Sequence, residues 1–189
     1  MNSDQGTSPK YASLASGDQE QVPILYLDEV TLEPWPAGAG ITAEAARRYS
    51  AEMGAVGARI GARLLGYNIT VVPPGFAAYP AHCHRVNEEM FFILSGSGVL
   101  RRGKHQYSVG TGAFIACPPG GTETAHQLVN TGVVPLRFLA VSTKATPEVV
   151  HYPDSRKSGL LVETGEGSKR HRLVHLWRDD ESCTYWYGE

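Results

Sequence analysis

The chain has 189 residues, 42% hydrophobic and 19% charged, which suits one domain with a buried core and excludes wholesale disorder. Lys and Arg number 17 against 19 Asp and Glu, a formal net charge of -2, so no nucleic acid and no anionic membrane is expected as partner, because both select concentrated positive charge. No apolar run approaches the ~18 residues that span a bilayer. The opening MNSDQGTSPKYASLASGDQE lacks the apolar stretch of a secretory signal. Three cysteines, Cys83, Cys117 and Cys183, form an odd set with no paired spacing, which predicts reduced thiols in a cytoplasm.

Residues 1–20 are polar, small and aperiodic, and are expected to form a disordered, mobile N-terminal arm. Residues 21–65 are expected to supply a strand and one short helix that pack on the main body. The strand is predicted in VPILYLDEV. After the break WPAGAG, the helix is predicted in ITAEAARRYSAEM, whose Ala, Arg, Glu and Met favour it.

Residues 66–145 then alternate short β-branched and aromatic runs with turn residues: YNITVV, YPAHCH, EMFFIL, VLRR, HQYSV, AFIAC, AHQLV and PLRFLAVST. That spacing predicts an all-β fold, a sandwich or small barrel whose interior holds one ligand. Residues 146–189 are expected to lay strands or a tail over the outside.

The chemistry gathers in two stretches. In Gly75-FAAYPA-His82-Cys83-His84-RVNE-Glu89-MFFILS-Gly96, residues two apart on a strand share a face, so His82 and His84 converge and Cys83 points away. Glu89 returns on the next strand in line with Phe91 and Ile93, and a carboxylate on an apolar face needs a cation or donors. In Gly112-AFIACPPGGTETA-His126-QLV-Asn130, His126 opens a strand on the face of Leu128. Three imidazoles and one carboxylate suit one divalent transition metal, Zn, Mn, Fe, Ni, Co or Cu, and suit calcium poorly.

Other groups get blander readings. His105 is assigned to a solvated hairpin turn, while His151, His171 and His175 are assigned to an irregular tail. Cys117 is expected to be a small buried group, since no basic neighbour is evident to activate it. Arg102 shares the face of Leu100, where it either meets an anionic substrate or snorkels outward at the strand end. Tyr79 and Tyr107 are candidate acid–base or substrate contacts, and Phe91 a pocket wall. Met90, Phe92 and Leu94 face away from Glu89 as an apolar row, which predicts a homodimer or cover from the chain's own ends.

The two stretches resemble the signature motifs of the cupins, G-x5-H-x-H-x3,4-E-x6-G and G-x5-P-x-G-x2-H-x3-N. Motif one matches in ligand type and order, with six residues between Gly75 and His82. Motif two matches at Gly112, Pro118, Gly120, His126 and Asn130, with five residues between Gly120 and His126. HRVNEEMFFILSGSG, IACPPGGTETAHQLVNTG, LAVST and HYPDS are further similar to a bacterial group of single-domain cupins sometimes labelled sugar-phosphate isomerase-like. The resemblance implies a double-stranded β-helix, or jelly-roll barrel. It also implies a metal on His82, His84, Glu89 and His126, and frequent homodimers.

A reaction does not follow from the fold. Three classes fit: a metal-dependent isomerase or epimerase acting on an anionic or polyhydroxylated small molecule, a metal-dependent dioxygenase, and a non-catalytic binding or sensor module.

Overall fold

The computed structural model describes residues 22–35, 41–165, 171–181 and 183–188. The arm expected over residues 1–20 lies outside the described residues. Thirteen strands and one short helix are found among those described. They are β1 (Glu33–Trp35), α1 (Ala43–Ala46), β2 (Ala51–Ala55), β3 (Leu65–Val72), β4 (Cys83–His84), β5 (Glu89–Ser95), β6 (Ser97–Arg102) and β7 (His105–Gly110). The series continues with β8 (Phe114–Cys117), β9 (His126–Val129), β10 (Leu136–Thr143), β11 (Glu148–Tyr152), β12 (Lys157–Thr164) and β13 (His171–Arg178).

One sheet runs β1-β2-β3-β10-β5-β8, and every pairing in it is antiparallel. The β7-β6-β9 and β13-β12-β11-β4 sheets are joined by a bridge between His82 and His126, whose backbones exchange hydrogen bonds of 3.2 and 2.8 Å. Between the two layers lies the core: Val72, Phe91, Ile93, Leu136 and Phe138 from the first, Leu100 and Leu128 from the second. These are the inward positions of the alternation expected from the sequence. The fold is therefore the all-β double layer that was anticipated.

The expected N-terminal elements shift. Residues 22–26 carry no ladder and Leu27–Glu29 form a 3-10 turn, because the Glu29 carboxylate captures the Tyr26 backbone N–H at 2.9 Å. The strand of this region is β1. Thr42 Oγ1 accepts the Ala45 N–H at 3.1 Å and starts α1, which ends within one turn. A lone turn is hard to nucleate, and the end of the predicted helix, Ala51 to Met53, instead falls in β2, which pairs with β1 and β3 and where Ala51 enters the core. Tertiary pairing thus overrides local propensity.

At the other end, the supposed irregular tail is ordered. His151 lies on β11, and His171 and His175 lie on β13. His105 opens β7 and is exposed as expected, the turn itself being Gly103 and Lys104. No helix among the described residues is long and apolar enough to cross a membrane.

Candidate metal centre

Strand parity brings the four expected groups together. Glu89 begins β5, whose next inward residues, Phe91 and Ile93, are 5% and 0% exposed. His82 and His84 flank the fully buried Cys83, and His126 begins β9 with 2% exposure. Glu89 Oε2 lies 2.9 Å from His126 Nε2 and 3.5 Å from each of His82 Nε2 and His84 Nε2. Burial alone would push the Glu89 carboxyl up, but the nearby imidazoles of His126, His82 and His84 outweigh it and hold that group well below the usual carboxylate range.

The far side of each ring is also arranged. His82 Nδ1 lies 2.9 Å from the Pro80 carbonyl, and His126 Nδ1 lies 3.2 Å from the Thr124 carbonyl. Those acceptors favour the proton on Nδ1 and leave Nε2 to face the cluster. His84 differs, since both of its ring nitrogens are buried and neither makes a hydrogen bond within the chain. Burial would lower its pKa, but the Glu89 and Glu148 carboxylates outweigh burial and raise it.

Donor atoms of His82, Glu89 and His126 all fall within 4.8 Å of one another, and His84 joins them through the shared Glu89 oxygen. Imidazole nitrogens around one carboxylate, with an orphaned nitrogen among them, fit a divalent transition metal.

Motif two's extra length is taken up locally. Thr122–Thr124 form a 3-10 turn, and the preceding loop is pinned by the Gly120 N–H donating to the His84 carbonyl at 2.8 Å. Asn130 is fully buried and belongs to the frame: its Nδ2 donates to the Val72 and Val134 carbonyls at 2.8 and 2.9 Å.

The remaining candidates divide. Phe91 packs against His126, ring centroids 5.7 Å apart. Tyr79 is half-buried 6.3 Å from the His82 ring, and burial pushes its phenol up to about 12. Arg102 is the ladder partner of His126 and shares its face of the sheet, and its Nε is buried without a hydrogen-bond partner. Tyr107 is 48% exposed on the edge strand β7, its ring 6.2 Å from that of His105. Cys117, the ladder partner of Glu89, is 1% exposed, and burial followed by the Glu89 charge pushes its thiol up to about 12.

Three groups escaped sequence reasoning. The Tyr152 ring sits 6.0 Å from His82, Lys157 Nζ sits 5.4 Å from the Tyr152 ring centre, and Glu148 lies behind His84. All come from β11 and β12, which reach the site because Val150 pairs with His84. No local motif announces that register.

Comparison with known proteins agrees with this geometry. Residues 68–142 match the cupin domain family. An uncharacterized protein of Methanocaldococcus jannaschii is 35% identical over 72 residues, which is 38% of this chain and 54% of that protein. The match thus spans about half the length of that curated relative.

A structure described as a sugar phosphate isomerase from a cupin superfamily, from Silicibacter pomeroyi, superposes with a TM-score of 0.69 at 23% identity, covering 85% of this chain and 95% of that one. A predicted oxalate decarboxylase of Thermotoga maritima gives 0.51 at 22% identity, covering 65% and 99%. The polyketide cyclase RemF of Streptomyces resistomycificus gives 0.50 at 22%, covering 66% and 82%. Likeness at such identity speaks for the fold alone. With the two-layer barrel, the convergent histidines and the family match in hand, residues 68–142 form a cupin domain.

Proposed function

We propose that the protein is a metal-dependent cupin that acts on a small anionic or polyhydroxylated hydroxy-carbonyl compound, in the manner of an isomerase or epimerase. His82, His84, Glu89 and His126 are its metal ligands, and the observation that carries this reading is the approach of three Nε2 atoms to one Glu89 oxygen. When bound, a divalent ion supplies Lewis-acid polarisation of a carbonyl or hydroxyl oxygen. Phe91 walls the site, Arg102 offers a guanidinium whose buried Nε has no hydrogen-bond partner on the face of His126, and Lys157 adds a cation beside Tyr152. Those charges favour a carboxylate or phosphate on the substrate. Tyr107, on its exposed edge, is a more peripheral contact.

Metal analysis tests the ligands. Native protein should hold about one equivalent per chain, and His82→Ala combined with His126→Ala should lose it. Equal content in both proteins overturns the assignment. Incubation of loaded protein with hydroxy acids and sugar phosphates in D2O should then place deuterium on the carbon beside the carbonyl. A second reading, a binding or sensor module, is favoured by Tyr79, a candidate acid–base group whose hydroxyl donates to Met53 Sδ at 3.9 Å and so is already engaged. Ligand binding without isotope exchange supports it. Oxygen uptake by the iron-loaded protein would instead mark a dioxygenase. We also propose a homodimer, because Phe92, half-buried on the outward face of β5, stacks 4.4 Å from a Phe114 that is 77% exposed.

A further inference from the structure

Glu148 is a buried carboxylate that the proposed chemistry does not use. It opens β11 at 1% exposure, 61 residues beyond Asn87 in the chain, yet it grips the turn between β4 and β5 from Arg85 to Asn87. Its Oε1 accepts the backbone N–H of Arg85 at 3.0 Å and of Val86 at 3.2 Å. Its Oε2 accepts the backbone N–H of Asn87 at 2.7 Å and a bond from the Asn87 side-chain amide. Asn87 in turn ties this turn to the end of β10, donating to the Ala145 carbonyl at 3.0 Å and accepting from Thr143 Oγ1 at 2.8 Å.

A carboxylate so placed would be fully accounted for as a loop clasp, except for where its second oxygen points. Oε2 lies 3.5 Å from His84 Nδ1, the buried nitrogen that has no hydrogen-bond partner. His82 and His126 each have a backbone carbonyl behind Nδ1, at 2.9 and 3.2 Å, and His84 alone of the three has a carboxylate there. A histidine that ligates through Nε2 must carry its proton on Nδ1, and an acceptor behind that proton fixes both tautomer and ring orientation. The clasp also sets the position of His84 itself, since the turn it grips begins at the next residue.

We propose that Glu148 is the positioning residue for His84: it accepts the Nδ1 proton, turns Nε2 toward Glu89 and thereby raises the affinity of the centre for its metal. This rests on the metal centre proposed above and adds a residue that lies outside both signature stretches. The carboxylate acts through His84 and touches neither substrate nor ion.

Zinc affinity, measured by competition with a chromophoric chelator, tests the assignment in four proteins: wild type, Glu148→Gln, His84→Ala and the double variant. Glu148→Gln should lower the affinity by about 10- to 100-fold, and the same substitution should do little once His84 is alanine. An equal loss in both backgrounds would mean damage to the turn alone and overturns the role. Wild type that binds no zinc overturns the metal centre itself and this role with it, so the two failures are distinct. A second measurement needs no variant. In long-range 1H–15N spectra of zinc-loaded wild type, His84 should appear as the Nδ1–H tautomer with a slowly exchanging ring proton. The opposite tautomer, or a freely exchanging Nδ1 proton, refutes the assignment.

Discussion

Tyr79 shows how the same surroundings that assemble the cluster change a neighbouring residue. Burial, with a smaller contribution from the Glu89 charge, pushes its phenol up to about 12, against an ordinary value of 10.0. Folded protein therefore holds a proton that the unfolded chain releases, and stability from this residue is complete below about pH 10 and lost as the pH rises towards 12. In an ultraviolet titration of the folded protein, the phenols of Tyr79 and Tyr152, both raised by burial, should ionise late, and Tyr79→Phe should remove one of these late steps and leave the other. Unchanged curves would contradict the placement of this ring. Cys117 follows the same logic: a thiol raised to about 12 beside a carboxylate is a packing group, as the lack of a basic neighbour in its sequence had suggested.

At the scale of elements, the tight link between β5 and β6 is Gly96 alone, with φ of +84°. A Cβ there would stand 2.5 Å from the Pro135 carbonyl oxygen, so both the backbone and the space select glycine. Gly96→Ala should destabilise the fold by at least ~1–2 kcal/mol in urea denaturation. An unshifted midpoint would show that this link between the two sheets relaxes without strain.

The legible part of the molecule follows from the same kind of locality. His82, His84 and Glu89 could be read because a period of two and one short turn place them on one face, and His126 because it shares a face with Leu128. The helix was over-read because Ala51 and its neighbours have helical composition, whereas their neighbours in space are two strands. Glu148, Tyr152 and Lys157 stayed hidden because their place depends on which strand β11 pairs with, a choice made by the packed sheet and not by adjacent residues.

For the whole molecule, exposed apolar surface is the chief feature left to explain. Phe114 is 77% exposed, and Leu173, Val174 and Leu176 on the edge strand β13 are each more than half exposed. The N-terminal segment covers part of the first sheet: a Cβ on Gly54 of β2 would collide with Val30 and the Thr31 carbonyl. A second copy of the chain is the occupant proposed for the face around Phe92 and Phe114. Light scattering at micromolar concentration should give twice the 20.4 kDa chain mass, and Phe114→Glu should halve the particle. Wild type at the single-chain mass would refute the dimer.

The central strand of the large sheet has a consequence for the order in which the molecule is made. β10 lies between β3 and β5, pairing Leu136–Thr143 with Leu65–Val72 on one side and with Glu89–Ser95 on the other. On the ribosome, both neighbours emerge before it, and each waits with an open edge while the intervening strands are synthesised. All four candidate ligands are translated by then, yet the wall that supports Glu89 is missing until Ser142 arrives opposite it. Assembly of the candidate centre during translation would thus be deferred beyond β10, until Glu148 of β11 also reaches His84, and the waiting edges are where a stalled or truncated chain would pair with its neighbours instead.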